Sequence, residues 1–295
     1  MNSTKVWLND ELVDSDKATV SIFDHGFTVG DGAFETLKVI NGQPVAVTRH
    51  IKRLIYSLNT IGIELNSEDI LKKAINEVIL ANKALGDVMR MRITYTSGVG
   101  PLGSDRTKDN FTLVVAVSPE AIWPETAIVV TVADPRNDKS MLAGAKTTSY
   151  AQNAALLSVA RKQGAHEAIM PNTKGDLCEG TGSNIFVVKD GQVLTPPLSG
   201  GCLGGITRAL VIKWFDVKEV DLPMSALRDV DEAFLTSSTR DIQPISKIDD
   251  RVLNAPGPVA SQMRTEFIKK LAQNYDAEKA FPPQIEAIPS MPRSD

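Results

Sequence analysis

The sequence predicts an α+β fold in two domains, on three observations. Hairpins dominate its first half, and strands and helices mix in its second. A break at Ser118-Pro119 and Trp123-Pro124 parts the two regions. Chains whose strands alternate regularly with helices build doubly wound sheets, and this pattern is different. The 295 residues suffice for two modest domains. The expected layout is a small α+β domain over 1–118, a linker over 119–126, a larger cofactor-binding domain over 127–281 and a Pro-rich tail over 282–295.

The elements follow from local pattern. Lys5–Leu8 and residues 11–13 flank an Asn9-Asp10 turn, and residues 34–40 and 44–47 flank Asn41-Gly42, a strong two-residue hairpin signal. Ile51, Leu54, Ile55, Leu58 and Ile61 recur every three or four positions, as one buried helical stripe does. Ser67 is placed to cap a second helix reaching about Ala84, with Glu68 and Asp69 in its first turn. Strands are expected at Val88–Thr96 and 111–117, around a Gly-bearing loop from Gly98 to Gly103. Beyond the break come a strand at 128–132, a helix at 151–163, a strand at 167–170 and a hairpin around Lys174-Gly175-Asp176. Asn184–Lys189 and residues 192–194 flank the Asp190-Gly191 turn; helices start near Ile206 and Pro258. The tail after Phe281 holds four prolines and no apolar period, so no packed element is expected there.

Composition narrows the function. A formal charge of −4 and a pI near 5.5 give no basic field for nucleic acid or anionic membrane. No run of eighteen apolar residues occurs and the first residues lack an apolar signal core, so a cytoplasmic address is expected. Two cysteines, Cys178 and Cys202, read as free thiols, and three scattered histidines have no metal-ligand spacing.

Four segments can carry chemistry. Gly200-Gly201-Cys202-Leu203-Gly204-Gly205 runs into a helix at Ile206-Thr207-Arg208. Glycines let backbone approach a ligand, and a helix start offers unpaired N–H groups and a positive dipole end, so this is either an anion site or a plain loop. Thr236-Ser237-Ser238-Thr239 ends an apolar strand and could cup the same anion or merely form a turn. Lys146 sits among small residues, Ala143-Gly144-Ala145 and Thr147-Thr148, which leave room for a group bonded to its amine. Shielding there would lower its pKa, as Schiff-base chemistry requires. Glu179, in Cys178-Glu179-Gly180-Thr181-Gly182-Ser183, is a carboxylate at the edge of a tight turn, able to hold a pyridinium proton or to cap a turn.

These segments resemble one family. Glu179, Thr181, Asn184, Ile185, Phe186, Val193, Thr195, Leu203, Gly205, Ile206 and Arg208 match the class IV aminotransferase signature in order and spacing. The chain resembles the fold-type IV pyridoxal-phosphate enzymes along roughly residues 5 to 275. That resemblance implies a small α/β domain beside a larger, mixed, β-barrel-like one, as in D-amino-acid aminotransferases. It implies pyridoxal 5′-phosphate as cofactor, with Lys146 as the Schiff-base lysine and Glu179 at the pyridine nitrogen. It also implies Arg53, Ile206, Thr207, Ser237 and Ser238 around the phosphate, and a homodimer acting on a small amine or amino acid.

The substrate side is similar to more than one member. Gly30-Asp31-Gly32-Ala33-Phe34-Glu35-Thr36 has threonine where branched-chain enzymes commonly have glycine. Thr36 resembles the aminodeoxychorismate lyases, in which a hydroxyl could relay a proton to the leaving pyruvate. Val88-Met89-Arg90 replaces the Tyr-x-Arg of branched-chain enzymes, leaving Arg90 to bind a substrate carboxylate; Arg92 faces the same side. The Arg-x-His of D-amino-acid aminotransferases is absent, and Tyr150 follows Lys146 by four residues rather than five. His25 and Tyr150 fall in segments that border the substrate in similar proteins. The expected reaction is therefore 4-amino-4-deoxychorismate to 4-aminobenzoate and pyruvate, with amino-acid transamination as the alternative.

Overall fold

In the computed structural model, which describes residues 4–108, 110–273 and 276, the strands gather into two sheets. The first is antiparallel: β1 (Lys5–Leu8), β2 (Glu11–Asp14), β3 (Gly32–Ile40), β4 (Gln43–Pro44), β5 (Val88–Thr96) and β6 (Thr112–Pro119), in the order β2-β1-β6-β5-β3-β4. A single-turn helix α1 (His25–Thr28) and two longer ones, α2 (Val47–Thr60) and α3 (Glu68–Ala81), accompany it. Side chains alternate across a strand. Leu37, Val39, Met89, Met91 and Ile93 accordingly meet Leu54, Leu58, Leu71 and Ile75 of the helices in one core. The opposite face, with Phe34, Thr36, Arg90 and Arg92, turns to a cavity.

One residue breaks the apolar rule on the helical face. Glu35 is fully buried there, and α2 supplies its partners. Arg53 donates from Nε and Nη2, both at 2.7 Å, and His50 approaches through Nδ1 at 2.6 Å. Burial alone would raise the carboxyl pKa; the Arg53 and His50 charges and hydrogen bonds outweigh it and hold Glu35 at about 2. The cluster pins α2 to β3.

The second sheet takes the rest: β7 (Ala127–Thr131), β8 (Glu167–Pro171), β9 (Leu177–Gly180), β10 (Asn184–Lys189), β11 (Gln192–Thr195), β12 (Val217–Glu219), β13 (Glu232–Ser237), β14 (Asp241–Ile248) and β15 (Arg251–Val252). Its order is β12-β11-β10-β13-β14-β7-β8-β9, with β15 on β14. It is mixed, because β7 runs parallel to both β14 and β8, and β12 parallel to β11. Helices α4 (Ala151–Lys162), α5 (Ile206–Trp214) and α6 (Pro258–Gln273) complete it. Phe186 stacks on Phe234 with centroids 4.9 Å apart, in a core shared with α5 and α6. The fold is α+β, and among the described residues no helix is long and apolar enough to cross a membrane.

Some expectations are corrected. The strand foreseen at 44–47 is only Gln43–Pro44, because Val45 and Ala46 plug into the second core and Val47 opens α2. Helix α3 stops at Ala81: the Asn82 side chain turns back to pair with both backbone groups of Lys5, at 2.9 and 2.8 Å. Ser67 caps α3 as foreseen, accepting from the Ile70 N–H. Residues 282–295, foreseen as a Pro-rich tail, lie outside the described residues.

The Glu35 cluster predicts an acid-side signature. Its folded pKa lies below the unfolded value of 4.5, so the stabilisation is complete above about pH 4.5 and disappears as pH falls through about 2. Glu35→Gln should flatten the decline of unfolding free energy across that window, by a few kcal/mol in urea titrations. An unchanged slope would show that this carboxyl does not hold α2.

Candidate active site

Between the free face of the first sheet and the second sheet lies a cavity of about 350 Å³. Lys146 enters it by a sheet device. β4 pairs only with the far end of β3, so the edge at Gly32–Phe34 is open. Residues 146–148 fill that edge: Phe34 N donates to Lys146 O at 3.0 Å and Thr148 N to Gly32 O at 2.8 Å. Ser57 Oγ accepts from Lys146 N at 2.9 Å. The lysine is thus fixed from both sides.

Its amine lies 4.3 Å from the Phe34 ring centroid and 5.5 Å from that of Tyr150. Burial, with Arg53 and Arg92 adding to it against Glu35 and Glu179, brings the amine pKa down to about 7. Tyr150 is held in turn by its hydroxyl, which donates to Thr181 O at 3.0 Å, and by an edge-on contact with Phe34.

Glu179 is the penultimate residue of β9 and stands in the cavity wall. Leu203 N donates to its Oε2 at 2.9 Å, and Arg136 Nε lies 3.3 Å from Oε1. Burial raises its pKa in spite of these partners. Beneath it, Glu167 accepts from Thr181 N at 3.0 Å, from the Thr181 hydroxyl, from Ser183 Oγ at 3.0 Å and from Arg240 at 3.2 Å. These bonds set the turn that carries Glu179 into β10.

An anion cup forms the far wall. Gly205 is the N-cap of α5 and has no side chain to cap it, so the first N–H groups of Ile206 and Thr207 face the cavity end. A Cβ at 205 would come within 2.0 Å of Asn184 Oδ1, which is why glycine stands there. Arg53 ties α2 to this loop, donating from Nη1 to Gly204 O at 3.0 Å. Ser237 and Ser238 face it from the β13–β14 turn, with Ser238 Oγ 3.4 Å from His50 Nε2. Thr236 Oγ1 is buried there without a hydrogen-bond partner among the described residues. Uncapped N–H groups and hydroxyls at one end, a weakly basic amine in the middle and a buried carboxylate fit pyridoxal phosphate.

The cavity collects Lys146, Glu179, Arg53, Ile206, Thr207, Ser237, Ser238, Thr36, Arg90 and Tyr150 from the sequence-based set. It does not collect His25. That imidazole is buried in α1 with Nε2 on Pro101 O at 2.8 Å, stapling the helix to the Gly98–Pro101 turn. Arg90 lines the cavity but its guanidinium is engaged by Glu120 at 2.8 Å. Of the arginines that line the cavity, Arg92, two residues on, is the one with no carboxylate partner among the described residues; its Cζ lies 3.4 Å from the Phe34 centroid. Strand alternation gave the signal for it. Arg136, Glu167, Trp123 and Arg240 were not foreseen, and only the fold brings them here.

Comparison with known proteins agrees with this geometry. The sequence model of the family described as amino-transferase class IV matches residues 32–248. A putative branched-chain-amino-acid aminotransferase of Methanocaldococcus jannaschii is 32% identical over 282 residues, covering 92% of this chain and 95% of the relative. A D-alanine aminotransferase of Staphylococcus aureus is 30% identical over 283 residues, covering 90% and 97%. The crystal structure of a branched-chain aminotransferase from Thermoproteus uzoniensis with norvaline superposes with a TM-score of 0.86 at 30% identity, covering 94% and 97%. The chain belongs to the class IV aminotransferase family, whose members are pyridoxal-phosphate enzymes.

Proposed function

We propose that the protein is an amino-acid aminotransferase that moves an amino group to a 2-oxo acid, with Lys146 as the amine that bonds the cofactor. The observation that carries this reading is the shared cavity: a shielded amine, a buried carboxylate and an uncapped helix start line one space. When bound, pyridoxal phosphate supplies an electron-accepting ring that stabilises the negative charge left by removal of a substrate Cα proton.

The chain's own groups do the rest. Ile206 and Thr207 N–H groups, the Thr207, Ser237 and Ser238 hydroxyls and Arg53 hold the phosphate and so fix the ring. Glu179, braced by Leu203 N and Arg136, keeps a proton at the pyridine nitrogen. The Lys146 amine would take the Cα proton and return it, a task suited to a pKa of about 7. Arg92, without a carboxylate partner among the described residues and with its pKa lowered by burial to about 10, receives a substrate carboxylate. The same reading includes a homodimer, supported by Ile22, Phe27 and Leu102, which are 69%, 75% and 75% exposed around α1 and the neighbouring loop.

Transfer is favoured over the lyase reaction because the similar proteins are named for branched-chain and D-alanine transfer. The lyase expectation rests on Thr36, which lines the cavity, and on the departures at Val88-Met89-Arg90 and Tyr150 from the patterns of the transferring members.

Three outcomes are expected. Lys146→Ala should be colourless and carry no cofactor fixed by borohydride; in the parent, cofactor uptake should quicken as pH rises through about 7, because the ammonium form is not a nucleophile. Activity should require both an amino donor and a 2-oxo acceptor, whereas pyruvate released from aminodeoxychorismate with no acceptor would restore the lyase. Light scattering should give twice the chain mass of 31.9 kDa; a monomer would remove the dimer from the proposal.

A further inference from the structure

His50 is a buried titratable group to which the proposed function gives no task. It stands on α2, 1% exposed, three residues before Arg53. The ring does not line the cavity itself, but it reaches the anion cup through one hydroxyl. Nδ1 lies 2.6 Å from Glu35 Oε2, and Nε2 lies 3.4 Å from Oγ of Ser238, which lines the cup.

Glu35 fixes one end of the ring. Its carboxyl is held at about 2, so at neutral pH it is an anion that can only accept. Nδ1 therefore carries a proton whatever the charge of the ring, and Nε2 is the variable. When bare, Nε2 accepts, and the Ser238 hydroxyl can meet it only by donating. When protonated, it donates to Ser238 Oγ and releases the hydroxyl proton to an anion in the cup.

The surrounding charges decide between the two states. Glu35 of β3 and Arg53 of α2 form a two-bond pair whose charges cancel, and Lys146 lends a further positive charge. The β13–β14 turn brings the Ser238 hydroxyl; the charges that follow it, Arg240 and Asp241, are paired with Glu167 and Lys38. Asp276 is bonded to Thr48 at the start of α2. A proton on Nε2 is thus a surplus buried charge unless an anion stands beside it. Burial, with Arg53 and Lys146 against Glu35, accordingly holds the imidazole below its usual pKa. An anion in the cup favours the opposite state.

We propose that His50 is a positioning residue for the cofactor's phosphate: a proton taken up at Nε2 turns the Ser238 hydroxyl from the ring toward the cup. A buffer acid gives up the proton, the Nε2–H bond forms, and no other covalent bond changes. The inference rests on the aminotransferase reading above and adds that phosphate binding and proton uptake are one event.

Nitrogen NMR of the full chain, labelled at its three histidines, reads the ring directly. The probe is sulfate, a dianion that does not titrate near neutral pH and forms no bond with Lys146; calorimetry follows its binding. His50→Gln assigns the signals, and His25→Gln with His166→Gln assigns them by elimination if that variant does not fold. At neutral pH without sulfate, His50 should be uncharged with its proton on Nδ1. Saturating sulfate should raise its titration midpoint by about one pH unit or more, and the cofactor-loaded enzyme should show the same rise. Ser238→Ala should move the Nε2 signal of the neutral ring and leave Nδ1 in place, because only Nε2 loses a donor. An imidazolium present without any anion, or an Nε2 signal indifferent to Ser238→Ala, would overturn the proposal. Sulfate bound with the midpoint unmoved overturns it too and leaves the transaminase reading standing. A chain that binds neither sulfate nor cofactor removes the phosphate cup, and both readings with it.

Discussion

The backbone of Lys146 is a strand partner before its side chain is a reagent. Its carbonyl and the Thr148 N–H complete the open edge of β3, and Ser57 takes its N–H, so the chain here has no freedom to turn the amine outward. The side chain then emerges between two aromatic rings. An ammonium in that place has lost much of its hydration, and the nearest cations, Arg53 and Arg92, push in the same direction as burial. The lowered basicity of one nitrogen is thus a consequence of β-sheet pairing. Change the edge and the chemistry moves with it.

Charge neutralisation organises the rest. Carboxylates brought by β3, β8, β9 and β12, and by the segment after β6, each meet an arginine from another element. Buried ions tolerate removal from water only when paired and hydrogen-bonded, so these contacts fix how the elements sit around the cavity. Glu35 with Arg53 and His50 sets α2, whose Arg53 reaches the glycine loop; Glu167 with Arg240 sets the turn after Glu179. A buried cation that meets no carboxylate carries meaning that a surface arginine would not. Among the described residues Arg92 is the cavity-lining arginine in that position.

Much of this was legible in the sequence where one short segment decides the outcome. Asn41-Gly42, Asp190-Gly191, the Ser67 cap and the glycine loop before Ile206 all act within a few residues, and each stands where expected. Lys146 was singled out by its small neighbours and Glu179 by its place in the class IV signature, and both line the cavity. The misses have a different character. β14 was not foreseen because Pro244 sits inside it, paired across from Phe234, where proline is normally unwelcome. Glu35 lies in a segment that resembles a substrate-side one, yet it is Phe34 and Thr36 that face the cavity. His25 falls in a substrate-like segment but fills the space under Gly100, where a Cβ would be 2.4 Å from its Nε2. Long-range pairing decided each of these, and no local pattern encodes it.

Lys146 and Glu179 show what the enclosure accomplishes. Burial lowers the pKa of the lysine and raises that of the glutamate, so both groups are driven toward their uncharged forms. In water the two would sit far apart on the proton scale, one firmly an ammonium and the other firmly a carboxylate. Here they approach each other, which is the condition for a group to give and take protons near neutral pH. The partners then differentiate them. Arg136 and the Leu203 N–H favour the anion of Glu179, the form that the proposed function needs beside a pyridine nitrogen, while Lys146 faces aromatic carbon. One cavity thereby gives the two residues different environments, and the proposed roles follow that difference.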